Sequence, residues 1–445
     1  MEFKQYPSYK KSGVEWLGDV PEHWESNRLK KYLIERNEKN SPIKTDYLLS
    51  VTMYQGVIPV SEKQGNGGNK PKENLENYKI SYPNDIVLNS MNVIVGSVGL
   101  NKYTGLISPA YYALYNRNKN NNIKFFSYIF QNPFFQKGLF GLGNGIMYKE
   151  SEDGKLNTIR LKIPMEKLNQ VVLPCPSISE QNQIVAFLDT ETARIDNLIS
   201  KQEKLIELLE EQRKSIISHA VTKGLNPNAP MKDSGVEWLG DVPEHWDVKS
   251  YRFVSKIYRG KFGHRPRNDP SLYDGEYPFI QTGDVARAGK YIQAYSQTLN
   301  EKGKAVSQVF TSGTLVMAIA ANIGDTAILN FEAYAPDSVV GFKPHKNIDL
   351  EFLRFSFIAS LQALEQTAVQ STQANLNVER IGALKTTFPP LSEQIEISNY
   401  LNAENEKNNH LISKQNQLIE KLKEYRASII SHAVTGKIDV REFDA

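Results

Sequence analysis

The sequence predicts an α/β (α+β) chain: two globules joined by two long antiparallel coiled-coil helices, with a pseudo-two-fold internal repeat. Three observations predict it. Residues Ser12–Trp24 read SGVEWLGDVPEHW, and Ser234–Trp246 read the same thirteen letters 222 positions later. The string SIISHAVT stands at Ser215–Thr222 and again at Ser428–Thr435, an offset of 213, and each copy is preceded by SEQ (Ser179, Ser392) and ISKQ (Ile199, Ile412). From Glu180 to Val221 there is neither proline nor glycine, so nothing breaks a helix of about 42 residues, about 63 Å. The period is far outside the roughly 20–50 residues of solenoid repeats. The 445 residues, enough for roughly two to four domains, therefore divide into two copies of one unit.

In chain order the plan is a box (1–24), a variable region (25–176), a helix with the second box (177–246), a second variable region (247–389) and a closing helix (390–445). All four tryptophans, Trp16, Trp24, Trp238 and Trp246, lie in the boxes, and His219 and His432 lie in the repeated SIISHAVT strings. Such tryptophans either fold each box onto its neighbouring helix or anchor a partner protein. None of the histidines has a second ligand at metal-site spacing, so no metal is expected.

The first helix begins at a capping-box pattern, Ser177-x-x-Glu180, after Pro174 and Pro176, and ends at Gly224 and Pro227. A seven-residue period fits the apolar positions. One row takes Leu188, Ile195, Gln202, Leu209 and Ile216; the interleaved row takes Ile184, Glu191, Leu198, Leu205 and Gln212. The second copy repeats it with Leu401, Asn408, Gln415, Leu422 and Ile429, and with Ile397, Glu404, Leu411, Leu418 and Tyr425. That pattern suits a two-helix coiled coil in which Gln202 and Gln415 fix register. Two separate surface helices are the other reading. A two-fold perpendicular to the helices makes them antiparallel and brings residues 1–24 beside residues 430–445.

The variable regions share little identity but one plan: short β-like runs broken by Gly, Asn and Pro. They include Asp46–Val60, Asp85–Leu88 and Val93–Leu100, then Tyr277–Val285, Thr314–Ile319 and Thr326–Phe331. A proline-led strand follows in each, at Pro109–Tyr115 and Pro336–Phe342, and both regions close on an Asn-containing stretch at Leu156-Asn157 and Asn375-Leu376-Asn377.

The net charge of +3 is uninformative, because DNA responds to the local field. Locally, Val248–Asn268 carries seven cations and no acidic residue: Lys249, Arg252, Lys256, Arg259, Lys261, Arg265 and Arg267, interleaved with aromatic residues and His264. Such a stretch suits phosphate contacts and bidentate reading of guanine; a solvated basic strand and loop is the alternative. In the first region, Lys63, Gln64, Asn66, Asn69 and Lys70 offer amides and lysines on a glycine-rich loop, and Asn or Gln can pair with adenine. A plain mobile loop fits equally. Asn89, Asn92, Gln281 and Asn322 at strand ends are further candidates.

No P-loop is found, since no Gly-Lys pair precedes Ser or Thr. Asn132-Pro133-Phe134-Phe135 and Phe140-Gly141-Leu142-Gly143 imitate adenine-methyltransferase motifs, but the first lacks its second proline and they lie too close together for separate strands of a Rossmann-like sheet. The sole cysteine, Cys175, lies between prolines without a catalytic setting and excludes a disulfide framework. The chain is thus read as non-catalytic. Its longest apolar run, Leu315–Ala321, is far short of the about 20 residues of a membrane span, and the N-terminal MEFKQYPSYKK has no apolar stretch, so a cytoplasmic setting is expected.

The boxes GVEWLGDVPEHW and SEQ…ISHAVT, on this duplicated plan, resemble the specificity subunit of type I restriction–modification systems (HsdS) over essentially the whole chain. The resemblance implies two target-recognition domains, each reading one half of a bipartite double-stranded DNA site, with the helix pair as spacer. It implies two modification (methyltransferase) subunits and two restriction subunits as partners, and no membrane. No cofactor is expected on this chain; S-adenosylmethionine, ATP and Mg are implied for the partners. A self-contained methyltransferase or nuclease, or a coiled-coil scaffold without DNA, are the competing readings.

Overall fold

The computed structural model describes residues 4–53, 55–63, 74–145, 162–366 and 376–443. The chain divides into two compact units, residues 1–202 with 417–445, and residues 203–416. Four helices frame them: α1 (Ile123–Gln131), α2 (Ile178–Lys223), α3 (Leu350–Gln366) and α4 (Leu391–Val434). Among the described residues, no helix is long and apolar enough to cross a membrane.

The first unit is built on an antiparallel sheet of β1 (Leu33–Arg36), β2 (Ile86–Asn89), β3 (Val98–Leu100) and β4 (Tyr111–Asn116), in the order β1-β4-β2-β3. Alternate side chains go to opposite faces. Ile86, Leu88, Tyr112 and Leu114 meet Phe125, Phe126 and Ile129 of α1, while Val87 and Ala113 meet Leu49, Val51 and Val57 of the hairpin at Leu49–Pro59. Both faces are therefore covered.

The second unit repeats the arrangement with β5 (Ser255–Arg259), β6 (Leu315–Ala318), β7 (Thr326–Ile328) and β8 (Val339–Pro344), in the order β5-β8-β6-β7. Leu315, Met317, Val340 and Phe342 pack on Phe352, Leu353 and Phe355 of α3, and Val316, Ala327 and Val339 face a second layer that includes Phe310, Ala333 and Ala335.

In the first unit, Gln183 donates to the Arg441 carbonyl at 3.0 Å and Arg426 donates to Asp196 at 2.8 Å, so α2 and α4 run antiparallel there. In the second, Arg213 reaches Asn409 at 3.3 Å, and Ile217, Ala220 and Val221 share a core with Ile397 and Leu401. Shifting Asp196 by the repeat offset of 213 gives Asn409, and shifting Arg213 gives Arg426. Each pair is the counterpart of the other.

The second seam row differs from the sequence reading by one residue. Leu205, Leu411, Leu418 and Tyr425 are exposed; the covered row is Thr192, Ile199, Ile206, Arg213 and Ala220, matched by Asn405, Ile412, Ile419, Arg426 and Ala433. A helical stripe advances by alternating steps of three and four, and the leucines made three look right after Leu188 where packing takes four. Gln202 and Gln415 are half-buried in the correctly read row.

Other readings shift locally. Val93–Val95 is a 3-10 turn, and the strand read to Val285 stops at Phe279, followed by a short helix, Thr282–Arg287. The Gln281 amide donates to Asp284 at 2.8 Å and starts that helix. The methyltransferase-like string at Asn132 has a structural purpose: Asn132 caps a short helix by accepting from the Phe134 amide at 2.8 Å, with Pro133 in its first turn. Asn377 caps Val378–Ala383 in the same way, while Leu156, Asn157 and Asn375 lie outside the described residues.

Candidate nucleic-acid interface

Each box is fastened to a long helix through one carboxylate. In the first unit Glu180 accepts from Tyr6 Oη (2.7 Å) and Trp24 Nε1 (2.9 Å), and contacts His23 Nε2 (3.0 Å). In the second, Glu393 accepts from Trp246 Nε1 (2.9 Å) and contacts His245 Nε2 (2.7 Å). The capping box read at Ser177 is consequently half-formed: the Glu180 amide donates to Ser177 Oγ at 3.3 Å, but the carboxylate turns to the box. Burial and the Glu180 charge push the Tyr6 phenol well above its ordinary pKa, which keeps it a donor. The next residue of SEQ holds the globule. Gln181 accepts from the Asn122 amide (2.8 Å) at the start of α1, and Gln394 accepts from the Asp349 amide (2.9 Å) just before α3.

The helix ends close on the boxes from the other side, by a swapped pair of residues. Lys223-Gly224 in one copy is Gly436-Lys437 in the other, yet Lys223 Nζ donates to the Asp241 carbonyl and Lys437 Nζ to the Asp19 carbonyl. Residues 4–24 and 430–443 thus meet as the repeat order implied. Gly436 has φ +69°, and a Cβ there would lie 2.3 Å from Pro21; Gly224 has φ +79° and 3.0 Å to Trp246. Left-handed backbone costs a side-chain-bearing residue about 1–2 kcal/mol. Gly436→Ala is expected to exceed that range and to destabilise more than Gly224→Ala; equal midpoints in denaturant melts of the two variants would contradict it.

The tryptophans divide. Trp24 and Trp246 are buried and hydrogen-bonded, so they are fold anchors rather than surface anchors for a partner. Trp16 is half-buried and packs edge-on against Phe135 at 4.9 Å, and Trp238, also half-buried, donates to the Lys385 carbonyl at 3.2 Å. His219 and His432 are exposed. Cys175 is half-buried, with burial pushing its thiol up, which leaves it unreactive at neutral pH.

The basic stretch is less clean in space than in sequence. Arg267 Nη2 reaches both Asp337 carboxylate oxygens at 2.7 Å, Arg259 donates to the Asp337 backbone carbonyl at 2.6 Å, and His264 meets Asp269 at 3.0 Å. The Ser271 amide and hydroxyl, with His264 behind them, hold Asp269 below the usual carboxylate range. Lys249 pairs with Asp247 at 2.6 Å. Arg252, Lys256, Lys261 and Arg265 have no carboxylate partner among the described residues, and all four are exposed; Arg265 is braced by the Phe262 and His264 carbonyls at 2.8 Å. Asp337 was invisible in the stretch because it lies 70 residues from Arg267, whereas Asp247 and Asp269 flank the stretch directly.

Of the amide candidates, Asn92 and Asn322 occupy equivalent exposed turns, β2–β3 and β6–β7, each followed by a left-handed glycine, Gly96 (φ +89°) and Gly324 (φ +86°). Asn322 Nδ2 reaches the Thr282 carbonyl at 3.4 Å, and so lies beside Gln281, whose side chain is bonded to Gln297. Asn89 is half-buried and accepts from the Met91 amide at 3.0 Å, which makes it a turn-former. Lys63 is half-buried at the end of a 3-10 turn; Gln64, Asn66, Asn69 and Lys70 lie outside the described residues.

The type I restriction modification DNA specificity domain family matches residues 243–421. The MjaVIII type I restriction enzyme specificity subunit of Methanocaldococcus jannaschii is 23% identical, over 96% of this chain and 95% of its own length. The MjaX relative from the same organism, placed in the same class of subunit, is 24% identical over 99% of both chains. A solved structure from work on the assembly and conformational transition of a type I R-M system shares the fold, with a TM-score of 0.67 at 15% identity over 93% of this chain and 98% of that one. With the duplicated boxes, the duplicated strand order and relatives of one kind along its full length, the chain is similar throughout to type I restriction–modification specificity subunits.

Proposed function

We propose that the two units read the two halves of a bipartite DNA site, each through the loops at the edge of its four-stranded sheet. The observation that carries this is one frame bearing two different faces. Strand order, box, helix clamp and turn glycine match between the units, whereas the exposed groups differ: a cationic segment with Asn322 in one, Asn92 in the other. A frame kept alike suits docking two copies of one partner; faces that differ suit two different half-sites.

In this reading the boundaries of the recognition domains are 25–176 and 247–389, and α2 and α4 form an antiparallel coiled coil about a pseudo-two-fold axis that sets the spacer. Two modification subunits dock on the repeated segments, where Trp16, Trp238, His219 and His432 remain accessible, and two restriction subunits complete the complex. S-adenosylmethionine, ATP and Mg belong to those partners, and the target adenine is flipped by the modification subunit. The specificity subunit supplies position and sequence only.

The direct test is co-expression with a modification subunit, followed by sequencing of methylated adenines. A split motif with a fixed spacer is expected; a continuous motif, or none, overturns the proposal. Cation replacement gives a second expected result. Changing Lys256, Lys261 and Arg265 together to alanine should weaken binding to all duplexes and flatten the slope of log affinity against log salt by up to about 0.9 for each phosphate no longer neutralised. Asp337→Asn should act oppositely, by releasing Arg267 from its carboxylate. Unchanged affinity and slope in both variants would remove the stretch from the interface.

A further inference from the structure

The repeat contains its own control for an open groove. In the first unit the chain beyond α4 folds back over the start of α2: Phe443 meets Phe187 edge-on at 5.0 Å, Arg441 lies over the Tyr6 ring at 5.0 Å, and Gln183 binds the Arg441 carbonyl at 3.0 Å. Phe187 is left 1% exposed, and the Glu180 side chain 4%.

The repeat offset carries Phe187 to Tyr400, Gln183 to Glu396 and Glu180 to Glu393. Among the described residues no such tail covers them. The second unit has nine residues, 225–233, between its helix and the next box; none is aromatic, and Met231–Asp233 pair as a strand with Asp241–Pro243. Tyr400 is 40% exposed and the Glu393 side chain 35%. Tyr400, Ile216, His219 and Leu225 line one cleft, and Leu225, Glu393 and Glu396 with Trp246 line its neighbour.

We propose that this groove in the second unit is a docking site for an extended segment of a partner protein carrying a cation and, two residues later, an aromatic side chain. The first unit shows the occupant's chemistry in the Arg441-x-Phe443 tail. Charge argues the same way, since a neutral Gln183 in the covered copy becomes an exposed Glu396 in the open one, beside a carboxylate without the donor equivalent to Tyr6. The cation meets Glu393 and Glu396; the aromatic ring covers Tyr400 and Ile216. The inference does not depend on the DNA reading, because none of these residues belongs to the basic stretch or the strand-end amides.

The probe is a labelled peptide of residues 437–445, KIDVREFDA, added to the full chain and followed by fluorescence polarisation. Saturable binding is expected, weakened at least tenfold by Tyr400→Ser and by the exposed charge reversal Glu396→Lys. A peptide with Glu in place of its Arg should bind E396K more tightly than it binds the unaltered chain. Absence of saturable binding overturns the proposal. So does binding abolished by Phe187→Ser but untouched by Y400S and E396K, which would mean exchange with the chain's own tail. Concentration-dependent dimerisation abolished by Phe443→Ser would name a second copy as the occupant and overturn the partner assignment. Loss of DNA binding in any variant that still takes the peptide would count against the DNA reading alone.

Discussion

Inserting one heptad after Gln202 in α2 and one after Gln415 in α4 is expected to move the preferred spacer between half-sites while leaving both half-site sequences unchanged. Seven helical residues add about 10 Å, close to three base pairs at about 3.4 Å each. The duplex turns by roughly 100° over that distance, given about 10–10.5 base pairs per turn. The best site for the variant therefore binds less well than the parent's, and the informative quantity is where the optimum lies. On the original site, binding should fall toward its non-specific level, a loss of about 10³-fold or more. Selection from duplexes with a randomised spacer reads the optimum directly. A spacer that stays put would show that the helices do not set it, and half-sites that change with it would show that the readers are not independent. Both insertion points fall at the divide between the compact units, so neither disturbs the clamps at Glu180 and Glu393.

What was legible in the sequence was what had been written twice. The boxes, the SEQ strings and the helix lengths gave the two-unit plan because identical letters in two contexts point to shared packing, and the contacts between residues 4–24 and 436–443 followed from repeat order. The seam was half legible. Leu188 and Ile195 marked one row, but Leu205 and Leu418 are exposed leucines that mimic a second row, and only packing shows that Ile206 and Ile419 fill it. The site was less legible than the fold because its electrostatics are non-local. Asp337 comes to Arg259 and Arg267 across the second unit, and no window around Val248–Asn268 contains it. The likeness of the Asn92 and Asn322 turns likewise needs the strand order, since the two regions share almost no letters there. On residue type alone Trp24 and Trp246 suit a partner anchor; their indole bonds to Glu180 and Glu393 explain their repetition without a partner.

Glu180→Ala is expected to destabilise the first unit by about 2–6 kcal/mol, the cost of leaving two buried donors without an acceptor, and Glu393→Ala the second unit by markedly less. The two carboxylates hold the same box residues, so the difference is one of solvation. Glu180 is 4% exposed and its loss strands two buried donors, the Tyr6 hydroxyl and the Trp24 indole. Stranded buried donors cost about 1–3 kcal/mol each. Glu393 is 35% exposed, and its loss leaves one buried donor, the Trp246 indole, beside a His245 ring that water reaches. Glu180→Gln keeps an acceptor for the indole and the phenol and should recover part of the loss. Hydrogen exchange resolves the outcome by unit: residues 4–24 and 436–443 should lose protection in E180A while residues 231–246 keep theirs. Equal losses from E180A and E393A would mean that the clamp's strength comes from packing of Trp24 and Trp246 alone. A selective loss would instead tie the stability of the first unit to the tail that shields its carboxylate, the same tail whose counterpart the second unit lacks.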